Sequence, residues 1–225
     1  MTTATLGCDT QMLLAKNPLK RELFNELNDL KSLSKMLSKE QVTIFLGQWY
    51  HPLHYFPVFL SRLVSVAPDI DMQTFISRIL WQELGQGDPV YAHEKIYIET
   101  MLDAGFERKL FAEAPPFKET EELLAGYKTA TDNYLSGLGF LYGTEVADLT
   151  MVSTIGNFVR DCTGRKDLLW VDIHVEQEPD HVESSNKTLQ PSIDEDEQSQ
   201  IVESAEQMWK LWINFFKAIK RAILA

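Results

Sequence analysis

The chain has 225 residues, of which 44% are hydrophobic and 11% aromatic, and its formal net charge is −12. This length and composition predict one domain over residues 1–225 with a substantial core, and they exclude disorder over most of the chain. The negative charge argues against nucleic acid and anionic membranes as partners, because the chain cannot neutralise phosphates or headgroups. The two cysteines, Cys8 and Cys162, give no disulfide framework. The sequence also lacks an apolar run of about 18 residues, so we expect a soluble cytoplasmic protein.

Helical patterns begin after a loose lead-in over residues 1–16. From Pro18, leucines recur at steps of three and four with charges between them, at Leu19, Leu23, Leu27, Leu30, Leu33 and Leu37. A second helix from Glu40 passes through residues 49–57, which are rich in aromatic side chains and contain two prolines. This stretch predicts a buried, kinked helix.

The next helical pattern covers about residues 70–83 and ends at Gly85-Gln86-Gly87. Asp88-Pro89 is a capping acid followed by a proline at the first helical position, so a new helix is expected there. Later helices are predicted over 90–102, in a short piece reaching Phe111, and over 117–133, 134–162, 167–184 and 194–224. Residues 185–200 are polar and acidic and are expected to form a long exposed loop that overlaps the start of the last helix. The sequence therefore predicts an all-α bundle of about seven or eight helices without strands.

A stripe of metal-binding residue types occurs in the helix over 167–184. On a helix, His174, Glu178 and His181 fall within roughly 60° of one another. The alternative interpretation is an ordinary solvated helix face. Pro179 follows Glu178 and removes a backbone hydrogen bond. We therefore expect this helix to be the least rigid side of any site that it forms.

Three further residues of metal-binding type stand where apolar residues are expected. Glu83 continues the apolar face of its helix, and His93 lies ten residues later, beyond the glycine break. Two helices that meet at such a corner can bring these side chains together. Glu145 lies in a stretch with little other charge, among Leu138, Phe140, Leu141, Tyr142, Val146 and Leu149.

Together the six residues form a mixed nitrogen and oxygen ligand set, which suits iron or manganese. Three carboxylates facing two divalent ions leave a charge of about +1, which is far cheaper to bury than either set alone. Ferritin-like di-iron bundles use two Glu-x-x-His motifs, whereas this chain has that spacing only at residues 178–181. No His-Glu-x-x-His motif occurs, which argues against the common zinc peptidase pattern.

The order and spacing of these residues resemble the haem-oxygenase-like di-iron oxidases. They belong to the superfamily that also contains haem oxygenase and the TENA/THI-4/PQQ-synthase-like proteins, and within it the sequence is most similar to the CADD-like proteins. The resemblance implies a haem-oxygenase-like bundle and the metal ligands Glu83, His93, Glu145, His174, Glu178 and His181. The family usually has Asp where this chain has Glu178, which puts the role of that residue in doubt.

The resemblance also implies a chemistry. Family members use two ferrous ions to activate dioxygen, and they oxidise an amine, an amino acid, a fatty acid or the protein's own tyrosine in p-aminobenzoate-type chemistry. Pocket lining is expected from aromatic residues of the second helix, and the candidates are Trp49, Tyr50, Tyr55 and Phe56. His51 and His54 are candidates for contacts with the ligands or the substrate; the alternative is that backbone carbonyls satisfy them.

Two other functions remain open at this point. The first is a metal-free enzyme of the TENA-like or PQQ-synthase-like type. The thiaminase-like proteins of this type need a cysteine that faces the pocket, and Cys8 and Cys162 are poorly placed for that role. An all-helical protein-interaction module is the second, and buried acids are hard to justify in such a module. The expected partner is a small-molecule substrate, with no nucleic acid and no membrane, and a homodimer is left open.

Overall fold

The computed structural model describes residues 10–189 and 194–225, apart from the side chain of Glu178. Besides a short helical segment over residues 10–15, the helices within these ranges are α1 (Pro18–Ser32), α2 (Lys39–Val66), α3 (Ile70–Glu83), α4 (His93–Asp103), α5 (Arg108–Ala112), α6 (Lys118–Ala130), α7 (Tyr134–Thr163), α8 (Leu169–Thr188) and α9 (Glu195–Leu224). Short 3₁₀ turns at Ser34–Met36 and Pro89–Tyr91 precede α2 and α4. No strand occurs in the described ranges, so the predicted all-α fold is confirmed, with about ten helices in these ranges where seven or eight were expected.

Local capping explains where several helices begin. The Asn17 side chain accepts a hydrogen bond from the backbone of Leu19 at the start of α1. Ser38 forms a capping box with Gln41 at the start of α2, which satisfies backbone donors that a helix start leaves free. Asp88 accepts from Val90 and caps only a 3₁₀ turn. The helix predicted to start at Asp88-Pro89 begins later, at His93, without a side-chain cap.

Helix α7 occupies the middle of the bundle and packs against α1, α2, α6, α8 and α9. The approach of α7 to α9 is close at Gly139, where an added Cβ would lie 2.5 Å from the backbone oxygen of Ile201. The glycines that weaken the helical pattern of this segment therefore permit tight helix packing. Every helix contributes buried hydrophobic side chains to one cluster, while the assignment of residues 1–225 to one domain stays a prediction.

The predicted loose lead-in is wrong for its described part. Residues 1–9 lie outside the described residues, but residues 10–15 are helical and Leu14 is fully buried. The Gln11 side chain donates to the backbone oxygen of Asn186 at 3.0 Å. Burial of Leu14 and this contact to α8 hold the segment against the bundle.

The predicted exposed loop over 185–200 is also wrong for most of its length. Helix α8 continues to Thr188, with Ser185 and Leu189 buried, and α9 begins at Glu195. A capping box between Asp194 and Glu197 begins α9 inside the range that was predicted to be a loop. Residues 190–193 lie outside the described residues. None of the described helices is long and apolar enough to cross a membrane.

Candidate metal centre

Glu83 and His93 lie at a corner between two helices, because Glu83 ends α3 and His93 begins α4. The loop between them turns back through Gly85, Gln86 and Gly87, whose φ angles are 85°, 58° and 95°. Glycine adopts positive φ without a steric penalty, so the two glycines make this corner possible. The turn brings Oε2 of Glu83 to 3.0 Å from Nδ1 of His93, with both side chains buried.

A second contact orients the His93 ring from the opposite side. Its Nε2 lies 3.1 Å from Oε1 of Gln177 on α8. When the ring is neutral, Nε2–H donates to this oxygen and the Nδ1 lone pair faces Glu83. His93 is therefore presented to the site through Nδ1.

His174 and His181 project from α8 about two turns apart, and both are buried. Nδ1 of His174 lies 2.7 Å from the backbone oxygen of Trp170, so Nδ1–H donates there and Nε2 keeps its lone pair. The rings of His174 and His93 have centroids 4.6 Å apart. Potential ligand atoms of Glu83, His93 and His174 all lie within 4.8 Å of one another.

Glu145 enters the same region from α7 and is 2% exposed. Its Oε2 lies 3.5 Å from Nδ1 of His181, and Oε1 of Glu83 lies 4.0 Å from the same nitrogen. Glu83 thus directs one carboxylate oxygen towards His93 and the other towards His181. Within the described residues, Oε1 of Glu145 is buried without a hydrogen-bond partner, which is costly for a carboxylate unless a cation occupies the site.

Burial and neighbouring charges act against each other on these groups. Burial disfavours ionised Glu83, but the histidines around it, His93 foremost, outweigh this effect and lower its pKa to about 2. Burial also opposes a charge on His181, yet Glu145 and then Glu83 outweigh it and raise the pKa of His181 to about 9. Burial and then the charge on His93 lower the pKa of His174 to about 3, so its ring is neutral near pH 7. Burial opposes a charge on His93 as well, but Glu83 outweighs it and raises the pKa of His93. A metal ion that binds here therefore displaces protons from His181 and His93.

A cavity of about 30 Å³, which is room for about two water molecules, is lined by Glu83, Glu145, His174 and His181. His93 is not part of this lining. The remaining lining of the cavity is mostly aromatic and apolar, and consists of Trp49, Pro52, Leu53, Phe56, Tyr127, Thr144, Asp148 and Trp212. The cavity thus combines metal-binding side chains with a mostly apolar lining.

Two of the four aromatic residues predicted to line the pocket do so, namely Trp49 and Phe56. Tyr50 and Tyr55 lie outside this lining, so that part of the prediction is wrong. Tyr50 instead donates its hydroxyl to Oε1 of Glu94 at 2.6 Å. Burial and then this contact raise the pKa of Tyr50 to about 12.

The two remaining histidines also lie away from the cavity. Nε2 of His51 is 2.9 Å from the backbone oxygen of Ala114, which agrees with the alternative of a histidine satisfied by a carbonyl. The His54 side chain is 61% exposed, and its Nδ1 lies 3.0 Å from Oε2 of Glu94. Neither histidine lines the cavity.

Sequence reasoning missed six residues of the cavity: Pro52, Leu53, Tyr127, Thr144, Asp148 and Trp212. Asp148 lies three positions after Glu145 in α7, a spacing that places it on the same helix face and could have identified it. Tyr127 and Trp212 belong to α6 and α9, and no pattern in the sequence connects those helices to the site. Glu178 lies in α8, and its side chain is outside the described residues.

Solved structures with the same fold come from several organisms. A CADD-like protein of unknown function from Nostoc punctiforme has a TM-score of 0.82 and 13% identity, with 99% of each chain covered. A TenA homologue from Pseudomonas syringae has a TM-score of 0.72 and 12% identity, over 94% of this chain and 91% of its own. A domain of unknown function with a haem-oxygenase-like fold from Shewanella denitrificans has a TM-score of 0.68 and 15% identity, over 97% and 90%.

At these identities the structural similarity establishes a haem-oxygenase-like fold, as the sequence predicted. No curated protein sequence matches the chain. The sequence profile of one family, described as an iron-containing redox enzyme, matches residues 43–213. The chain therefore belongs to this haem-oxygenase-like family of iron-containing redox enzymes.

Proposed function

We propose that this protein is a non-haem iron-dependent oxidoreductase that binds two ferrous ions and uses dioxygen to oxidise a small organic substrate. The position of Glu83 carries the proposal. One of its oxygens lies 3.0 Å from His93 and the other 4.0 Å from His181. Because a ligand-type side chain lies at each of its oxygens, the Glu83 carboxylate would be shared between two metal ions.

The chemistry of the described side chains fits iron. Two carboxylates and three imidazoles provide the mixed oxygen and nitrogen donors that suit iron, and also manganese. His174 is held in the tautomer that leaves Nε2 free, which is how metal-binding histidines are commonly oriented. The buried oxygen of Glu145 that lacks a partner among the described residues would gain one in a bound ion.

We assign the ligands to two positions. Glu83, His93 and His174 would hold one ion, because their ligand atoms lie within 4.8 Å of one another. Glu145 and His181 would hold the second, with Glu83 shared between them. Glu178, predicted from its place in the α8 stripe, would complete this second position.

When bound, the ferrous ions supply the electrons with which dioxygen is activated. The protein's own part is to orient the ligands, exclude water and position the substrate. Gln177 and the Trp170 carbonyl fix the rings of His93 and His174. Trp49 and Phe56 belong to the apolar lining that keeps the reaction from bulk water.

Substrate classes follow from the resemblance: an amine, an amino acid, a fatty acid or a tyrosine of the protein itself. For the last class, Tyr127 is the tyrosine of the cavity lining, and its hydroxyl lies 2.8 Å from Oγ1 of Thr144. Thr144 already donates to the backbone oxygen of Phe140, so Tyr127 donates to Thr144. This contact fixes the ring beside the candidate ligands.

A metal-free, cysteine-dependent reaction has less support. Cys162 is outside the cavity lining, and burial raises the pKa of its thiol, which makes it a poorer nucleophile. Cys8 lies outside the described residues. The buried ligand cluster also has no evident purpose in a protein-interaction module.

Anaerobic titration with ferrous iron tests the proposal. We expect uptake of about two equivalents, followed by oxygen consumption on exposure to air. His174→Ala removes a neutral ligand and should abolish tight binding at its position. His54→Asn is the matched control, because it removes an exposed imidazole outside the cavity.

Circular dichroism of each variant shows whether it is folded. If His174→Ala does not fold, Glu83→Gln serves the same purpose, since it keeps the side-chain volume and removes the shared carboxylate charge. A folded wild-type protein that takes up no ferrous iron would overturn the proposal.

A further inference from the structure

A row of aromatic rings connects the candidate metal centre with the protein surface. The ring of His174 lies 4.7 Å from that of Trp170, centroid to centroid. Trp170 lies 5.0 Å from Tyr97, and Tyr97 lies 6.5 Å from Tyr50. We call these four residues the ring relay. Electrons tunnel readily between rings at such separations, so the geometry suits redox transfer.

The proton acceptors along the relay differ from ring to ring. The buried indole N–H of Trp170 has no hydrogen-bond partner among the described residues. The hydroxyl of Tyr97 donates to the backbone oxygen of Leu46 at 2.9 Å, and a carbonyl is a very weak base. The hydroxyl of Tyr50 donates to the carboxylate of Glu94 at 2.6 Å. A phenol becomes much easier to oxidise when it can release its proton, so an oxidising equivalent is stabilised at Tyr50.

The Tyr50 end of the relay is accessible from outside the bundle. The ring of His54 stacks on Tyr50 with centroids 5.8 Å apart and approaches the second oxygen of Glu94 at 3.0 Å. His54 is 61% exposed, whereas Trp170 and Tyr97 are fully buried. The relay therefore starts at a buried candidate ligand and ends at solvent.

A competing branch of rings leads back to the cavity. Trp49 lies 6.2 Å from Trp170 and 5.6 Å from Trp212. The indole nitrogens of Trp49 and Trp212 are buried without partners among the described residues. The branch continues from Trp212 to Tyr127 at 6.5 Å, and the Tyr127 hydroxyl donates to the hydroxyl of Thr144. A hydroxyl is a far weaker base than the Glu94 carboxylate, so we expect an oxidising equivalent on this branch to return to Trp170.

We propose that the ring relay carries an oxidising equivalent from the metal centre to Tyr50 when no substrate occupies the cavity. This inference rests on the proposed function, which supplies the oxidant through iron and dioxygen. The relay would protect the protein, because the oxidising equivalent leaves the metal centre before it attacks the side chains that line the cavity.

One electron passes from Tyr50 through Tyr97 and Trp170 to the oxidised centre, which is reduced by one electron. The phenolic proton of Tyr50 moves to the carboxylate of Glu94, leaving a neutral tyrosyl radical and a carboxylic acid. A small one-electron reductant such as ascorbate restores the phenol at the surface, and Glu94 returns the proton.

Freeze-quench electron paramagnetic resonance tests the relay. The full chain is loaded with ferrous iron without oxygen, exposed to dioxygen in the absence of substrate, and frozen. We expect a tyrosyl radical, identified by its narrowing in protein labelled with ring-deuterated tyrosine. Tyr50→Phe should abolish it while keeping an aromatic ring in place.

Two further variants separate proton transfer from packing. Glu94→Gln keeps a hydrogen-bond acceptor but removes the base, and should slow radical formation by about a hundredfold. Tyr55→Phe is the matched control, since Tyr55 is also half-buried on α2 but belongs to neither the relay nor the cavity lining, and it should retain the radical. Ascorbate should quench the radical in both wild type and Tyr55→Phe.

Iron uptake and oxygen consumption are measured on the same samples. Iron binding and oxygen consumption without a radical, or with a radical that survives Tyr50→Phe, would overturn the relay and leave the proposed function standing. Absence of iron binding would overturn both, because the relay then has no oxidant.

Discussion

The α3–α4 corner and helix α8 hold their candidate ligands in different ways. At the corner, the chain returns through three consecutive residues with positive φ, and this local turn fixes Glu83 against His93. Along α8, His174 and His181 are placed by helix periodicity, in a helix that contains Pro179. The corner depends on backbone conformations that few residues adopt, whereas α8 lacks a backbone hydrogen bond near its ligands.

This difference predicts that damage to the two regions affects metal binding in different ways. Damage to the corner should separate Glu83 from His93 and disturb both metal positions, because Glu83 is shared between them. Damage to α8 should act mainly on the rate at which metal is lost, since the helix remains continuous from Leu169 to Thr188.

Gly85→Ala is expected to have the largest effect. A Cβ at this position would overlap the backbone oxygen of Asp88 and lie 2.5 Å from the backbone nitrogen of Ala92. Both neighbours are backbone atoms, so the corner has to move. We expect the free energy of unfolding to fall by about 2–4 kcal/mol. Urea unfolding of the metal-free protein measures this loss, and a ferrous titration should show weaker binding at both positions.

Gly87→Ala is the matched control for the corner. Gly87 also has positive φ, at 95°, but none of the described atoms lies within 4 Å of its added Cβ. This variant bears only the strain of a left-handed backbone, about 1 kcal/mol. Equal losses in the two variants would show that crowding at Gly85 does not hold the corner.

The stability of the metal-free protein should decrease as the pH rises. His181 has an unfolded pKa near 6.5 and a folded pKa of about 9, raised by Glu145 and Glu83 against the effect of burial. Its stabilising proton is therefore fully present below about pH 6.5 and is lost as the pH approaches 9. The contribution is at most about 3 kcal/mol. Urea unfolding with a chelator present, across this range, measures it.

A His181→Gln variant supplies the control for this pH dependence. It removes one titrating ring and keeps a hydrogen-bond donor near Glu145, so its stability should change less between about pH 6.5 and 9. The remaining slope comes from His93, whose pKa Glu83 raises against the effect of burial. An equal slope in wild type and variant would mean that His181 does not carry the proton that balances the carboxylates. His174 acts in the opposite direction, because its lowered pKa makes stability fall as the pH drops below about 6.5.

Helix type and most helix ends could be predicted from local signals. The leucine repeat of α1, the Asp88 cap and the glycine break after α3 are all encoded within a few residues. The shape of the cavity could not be predicted in this way. Tyr127 and Trp212 reach it through the packing of α6 and α9, which no short pattern describes. The same limit applies to Tyr50, whose helix face was expected to line the cavity but instead meets Glu94.

The candidate ligands were recognisable because charge is expensive in an apolar surrounding. Glu83 and Glu145 interrupt hydrophobic faces, and both are buried in the structure. Composition misled the prediction at residues 185–200, where polar side chains suggested an exposed loop. There, burial of Ser185 and Leu189 extends α8 by tertiary packing that a local pattern does not reveal.

Pro179→Ala should strengthen the weaker side of the site. Pro179 has no N–H to donate to the backbone oxygen of Val175, and its ring crowds that oxygen. Alanine restores the bond, while the unfolded chain gains entropy that offsets part of the benefit. We expect a net gain of about 1–2 kcal/mol in the free energy of unfolding, measured by urea unfolding of the metal-free protein. Iron release to a chelator should slow by up to about tenfold.

Pro57→Ala in α2 separates general helix stabilisation from an effect on the site. Pro57 also lies inside a helix, but it is not among the residues that line the cavity. It should raise stability by a similar amount and leave the rate of iron release unchanged. If both variants slow iron release equally, overall stability governs metal retention, and α8 is no weaker than the corner. If only Pro179→Ala slows it, the missing hydrogen bond beside the predicted ligand Glu178 sets the rate at which the centre loses its metal.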